Sequence, residues 1–151
     1  MNAEWRESRI EELLRKPYAG SKAFRINHPT AAYVSNCHGT TCYVFGLHHS
    51  GENELSHPGI VDGSEMQRRI DERFIPLERY QPHSIIAFYL IGDETELIHT
   101  AIVLKEGKSV FHQTGTGGWF EKKKLEDLLR SRRSCEGQTI EVKSYQLKNH
   151  S

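Results

Sequence analysis

The chain has 151 residues and balances 20 Lys plus Arg against 20 Asp plus Glu, for a formal net charge of zero. That length suits a single compact domain over residues 1–151, able to bury a core without disulfides. Zero net charge provides no basic field to favour nucleic acid or an anionic membrane surface. Residues 4–16 are expected as a helix, because Ile10, Leu13 and Leu14 recur at helical spacing among charges. Pro17 and Gly20 end it, and residues 18–36 read as loop. The run TTCYVFGL, Thr40 to Leu47, fits a β-branched strand or a buried helix, and periodicity does not separate the two. Residues 48–63 are rich in turn formers and read as loop. Ser64 with Gln67 has the capping-box pattern, and Met66, Ile70 and Phe74 follow on one helical stripe that Pro76 stops.

Three strands are expected next, at Ser84–Ile91, Leu97–Leu104 and Ser109–Thr114. Gly92-Asp93 and Glu106-Gly107 punctuate them as an antiparallel meander. After a Gly/Thr loop at 113–118, Phe120–Arg132 reads as a helix with Leu125, Leu128 and Leu129 on one side. Gln138–Gln146 alternates as a strand does. Helices first, an antiparallel sheet, then a helix before the last strand make an α+β fold.

The opening MNAEWRESRIEELLRK lacks the apolar run of a secretory leader, and no segment approaches the roughly 18 apolar residues of a membrane helix. Cys37, Cys42 and Cys135 form no C-x-x-C pair, which argues against a disulfide framework and a zinc finger. A cytoplasmic protein with reduced thiols is the expectation.

The histidines supply the first chemical signal, since the chain holds nine. If the second hairpin turns on Glu106-Gly107, Lys105 pairs with Lys108 and paired numbers sum to 213. His99, Ala101 and Val103 then share a face with Val110, His112 and Thr114. His99 and His112 become diagonal neighbours, roughly 7 Å apart by Cβ. A loop one residue shorter or longer would put them on opposite faces. The plain alternative is a pair of satisfied core or rim histidines.

A nucleophile candidate lies upstream, in Ser35-Asn36-Cys37-His38-Gly39-Thr40. Asn36 is a good helix N-cap. A helix starting near Cys37 sets its N–H groups and positive dipole end beside the sulfur, which favours the thiolate. Those N–H groups could also stabilise an oxyanion in acyl transfer. Gly39 lets another backbone approach closely. Cys42, in an apolar run, and Cys135, in a charged stretch, read as structural.

These residues resemble the NlpC family of papain-like cysteine peptidases. That family shows Asp-Cys-Ser-Gly, then an apolar helix ending in Val-Phe; here the sequence is Asn36-Cys37-His38-Gly39, then Thr-Thr-Cys-Tyr-Val-Phe. The family's histidine strand, turn and second histidine are matched by His99–Leu104 and Gly107–His112. The resemblance spans roughly residues 30 to 118. It implies a papain-like fold, with N-terminal helices packed on a central antiparallel sheet, and a buried helix for TTCYVFGL. It also implies Cys37 as nucleophile, His99 as general base and His112 as the third member that orients His99. A family tyrosine that lines the site corresponds loosely to Tyr18. The sequence departs from the family at Asn36, His38 and Ala101. The implied function is a cysteine hydrolase, a peptidase or amidase on an amide or ester, with a cell-wall peptide as one possible substrate. Its partner is a peptide-like or acyl substrate, with no nucleic acid, no membrane span and no cofactor.

Other readings are an acyltransferase or deamidase on the same centre, a binding module that has kept the fold without catalysis, and a metal site at His99 and His112. His48, His49 and His57 lie in a loop without a fixed ligand frame, and a solvated loop is the simpler reading. Thr114-Gly-Thr-Gly-Gly lacks the full phosphate-loop pattern and reads as a rim beside His112. Lys122–Lys124 and Arg130–Arg133 read as solvated faces.

Overall fold

A computed structural model describes residues 3–30, 32–47, 55–115, 117–133 and 138–148. The elements in chain order are helices α1 (Ala3–Arg15), α2 (Lys22–Asn27), α3 (Cys37–Phe45) and α4 (Gly63–Arg73), then strands β1 (Phe74–Leu77), β2 (Ile85–Ile91), β3 (Thr95–Val103), β4 (Ser109–Gln113) and β5 (Phe120–Lys124), helix α5 (Leu125–Arg133) and strand β6 (Thr139–Leu147). The strands form one six-stranded sheet in the order β1-β6-β2-β3-β4-β5. This is the α+β class, and β2-β3-β4 form the expected meander, with β6 returning to the other side of β2.

The chain divides into two compact units: residues up to Val61 with His112–Glu121, and Asp62–Phe111 with the residues from Lys122. In the first, α1 packs against α3, burying Ile10 and Leu13. Arg9 is layered between the Trp5 and Tyr43 rings, and its Nη1 donates to Tyr43 O at 2.7 Å. Tyr43 in turn donates its hydroxyl to Glu12 Oε1 at 2.8 Å. A guanidinium over two rings gains cation–π attraction while its stem covers apolar surface. The ambiguous run TTCYVFGL is helical through Phe45, and every residue of α3 is buried, so its periodicity is invisible by construction. Gly46, at φ +66°, closes α3 in the left-handed conformation that glycine takes without cost.

In the second unit the core is built from Ile86, Phe88, Ala101, Val103, Val110 and Leu128, flanked by Leu125, Leu129, Ile140 and Val142. The hairpin register is Ile102 opposite Phe111 and Val103 opposite Val110, the pairing that sums to 213. Gly107, at φ +76°, makes the turn.

Four expectations are corrected here. Residues 18–36 are not all loop: Ser21 accepts from Phe24 N and caps the short helix α2. The cap of α4 is Asp62, which accepts from Glu65 N, rather than Ser64. Pro76 does not stop α4; the helix ends at Arg73, and Pro76 stands inside β1, an edge strand where a missing N–H is tolerated. Phe120–Lys124 is a strand, and only Leu125 onward is helix. β5 is the other edge of the sheet, where lysines discourage further pairing.

Candidate functional site

Helix α3 begins at Cys37, with Asn36 as its N-cap in an extended conformation, as the sequence suggests. The Asn36 side chain works in three directions. Its Oδ1 accepts from Gly39 N at 2.8 Å and from Val61 N at 3.1 Å, and its Nδ2 donates to Val61 O at 2.7 Å. The Asn36 backbone N–H donates to Gly59 O at 3.2 Å. The segment 59–61 is thereby fastened along the start of α3. Gly39 makes this possible, because a Cβ there would overlap Gly59 O. The Cys37 side chain is 6 % exposed and Cys42 is fully buried; neither forms a disulfide.

Gln113, at the end of β4, fixes the same region from behind. Its Oε1 accepts from Ser35 Oγ at 2.6 Å and Thr40 Oγ1 at 2.8 Å. Its Nε2 donates to Ser35 O at 3.0 Å, Gly118 O at 2.9 Å and, more weakly, Gly20 O at 3.4 Å. A fully buried amide with both ends occupied is what burial of such a group demands. The sequence reading gave Gln113 no role; its position beside His112 was the available signal.

His112 is 3 % exposed, and its Nε2 lies 2.8 Å from Glu121 Oε1 on β5. Glu121 lies in a segment whose composition reads as helix, so its place across from His112 shows only in the strand pairing. His99 is 1 % exposed in the second unit, sharing its face of β3 with Ala101 and Val103, its ring centroid 5.7 Å from that of Phe88. The structure thus places Cys37 and His112 in the first compact unit and His99 in the second.

A cleft of about 510 Å³ in the first unit is lined by Tyr18, Phe24, Tyr33 and His57 together with Leu13 and Pro17. Tyr33 and His57 stack at 4.7 Å, and the His57 Nδ1 donates to Pro58 O at 2.7 Å. Tyr18 is 58 % exposed and sits edge-on to Trp119. Burial, with Tyr43 and Glu12 close by, pushes the Tyr33 phenol up from its usual pKa.

In the Gly/Thr loop after β4, two of the glycine amides are bonded within the protein. Gly117 N donates to Ser35 O at 2.9 Å and Gly118 N to Gly115 O at 3.0 Å, so these amides are already spent. Among the described residues no cluster of three or more His, Cys, Asp or Glu could hold a metal, and no helix is long and apolar enough to cross a membrane. His48, His49 and Cys135 lie outside the described residues.

These elements define an α+β protein with a thiol at the start of a capped, buried helix. Neither a protein-family model, nor a curated protein, nor a solved structure matches the chain.

Proposed function

We propose that the chain is a cysteine hydrolase of papain-like type, acting on an amide or ester bond of a peptide-like or acyl substrate in the cytoplasm. The observation that carries this reading is Cys37 as the first residue of α3, beneath the Asn36 cap. A sulfur at that position meets the helix's N–H groups and positive end, which stabilise thiolate over thiol. In the reaction Cys37 Sγ attacks the carbonyl carbon and His99 takes the thiol proton. Collapse of the tetrahedral intermediate breaks the bond to the leaving amine or alcohol, which receives that proton. Water, deprotonated by His99, then cleaves the acyl-thioester and regenerates the thiol. His112 orients His99. The aromatic cleft offers a seat for an apolar part of the substrate, since Tyr33 precedes Cys37 by four residues, within about 14 Å of chain.

The test is the pH dependence of iodoacetamide alkylation at Cys37, followed by peptide mass analysis. An ordinary thiol reacts with a midpoint near pH 8.5, about its intrinsic pKa. The expected midpoint for Cys37 is at least about one unit lower, and His99→Ala returns it toward the ordinary value. A midpoint near 8.5 that ignores His99→Ala overturns the proposal.

A further inference from the structure

Beyond the ends of β4 and β5, Thr114 N donates to Trp119 O at 3.0 Å and Trp119 N donates to Thr114 Oγ1 at 3.1 Å. Counting back along both strands from that pair, His112 faces Glu121 directly, the cross-strand relation in which side chains meet. The backbone on which Glu121 stands is pinned. The neighbouring Phe120 donates its N–H to Pro17 O at 2.9 Å and buries its ring. The His112 ring is therefore held against a carboxylate whose own position is set by buried structure.

An ionised carboxylate only accepts hydrogen bonds. The proton in the 2.8 Å contact between His112 Nε2 and Glu121 Oε1 thus resides on Nε2. In a neutral imidazole the other nitrogen then carries the lone pair. We infer that Glu121 is a positioning residue that fixes His112 as its Nε2–H tautomer, so that Nδ1 serves as a hydrogen-bond acceptor. The inference deepens the hydrolase reading and, as to purpose, rests on it. A third member that orients a histidine base must accept that base's N–H, and must do so again when the base becomes imidazolium. The opposite tautomer would present a second donor and hold the base in the wrong state. The Glu121 side chain is 32 % exposed and presents Oε1 to the buried His112 ring at 2.8 Å.

The experiment is long-range ¹H–¹⁵N spectroscopy of the labelled full chain at pH 8, with the His112 ring assigned by its loss in His112→Gln. The expected result is a protonated Nε2 and an unprotonated Nδ1. In Glu121→Gln, whose amide can donate or accept, that single-tautomer signature is lost, and Glu121→Asp restores it. Cys37 alkylation follows the same order, slowed in Glu121→Gln and partly recovered in Glu121→Asp. A wild-type His112 that is Nδ1–H, or imidazolium, at pH 8 overturns the inference whatever Cys37 does. An Nε2–H signature lost in Glu121→Gln, combined with alkylation indifferent to His99→Ala, leaves the tautomer assignment standing and removes the hydrolase reading.

Discussion

Replacing Gly39 by alanine sets two effects of opposite sign against each other. Helix propensity favours alanine over glycine by about 1 kcal/mol, so inspection of α3 alone predicts a gain. The surroundings predict a loss, because the new Cβ would overlap Gly59 O, a backbone atom that cannot rotate away. The carbonyl must retreat by on the order of an ångström to reach van der Waals distance. Gly59 O accepts from Asn36 N, and Val61, two residues on, exchanges two bonds with the Asn36 side chain. Those three bonds at about 0.5–1.5 kcal/mol each make roughly 2–4 kcal/mol. The net expectation is a destabilisation of about 1–3 kcal/mol, read as a lower urea midpoint with unchanged slope. Cys37 alkylation should slow in parallel, since the displaced segment holds the cap that starts its helix. A Gly39→Ala protein as stable as the parent would show that propensity wins and that segment 59–61 does not brace α3.

Gln113→Met, close in volume, strands the hydroxyls of Ser35 and Thr40 and the carbonyl of Gly118, while Ser35 O keeps its bond from Gly117 N; at about 1–3 kcal/mol per buried orphan, partly relieved by rotation, a loss of about 2–4 kcal/mol is expected in chemical denaturation. Asn36→Asp keeps the two acceptor roles but turns an oxygen toward Val61 O, so it should cost about 1–2 kcal/mol at pH 7 despite a better helix-dipole match. Recovery of that variant in acid, where the carboxyl can donate, would be seen in urea midpoints compared at about pH 4 and 7. Burial first, then the hydrogen bond with Tyr145, holds the Tyr89 phenol well above its usual pKa of 10.0. A folded pKa above the unfolded one gives stability that is full below about pH 10 and falls as pH rises past it; Tyr89→Phe should therefore flatten the alkaline limb of the stability profile, and an unchanged limb would refute the assignment.

What the sequence revealed, and what it hid, follows from how each element is stabilised. β2 and β3 are long runs whose apolar content is set by burial, β6 shows the alternation of a half-covered strand, and the 213 register follows from a turn glycine that any pattern reading would find. α3 is ambiguous to periodicity because all its residues are buried, and the expectation of a helix there comes from the resemblance rather than from the pattern. α2 is six residues long and depends on one serine hydroxyl, too little for periodicity to register. β5 reads Phe-Glu-Lys-Lys-Lys, a helix-tolerant string whose alternation is masked because its outward positions are charged. Among the candidate residues, Cys37, His99 and His112 are nameable by residue type, whereas Gln113 and Glu121 are not. Their roles come from partners distant along the chain (Ser35 and Thr40) or across a strand pair that the helical reading had erased.

The buried amide of Gln113 ties its own loop, at Gly118, to two stretches far from it in sequence, at Gly20 and at Ser35 and Thr40. A joint of that kind has few partial states, because releasing any one stretch exposes polar atoms that the others still need. The amides of Ser35 and Gly117, bonded to carbonyls at this junction, should therefore exchange with solvent through a shared opening, at a common free energy. The start of α3 would then be set or lost as a whole, which gives the Cys37 sulfur a fixed address.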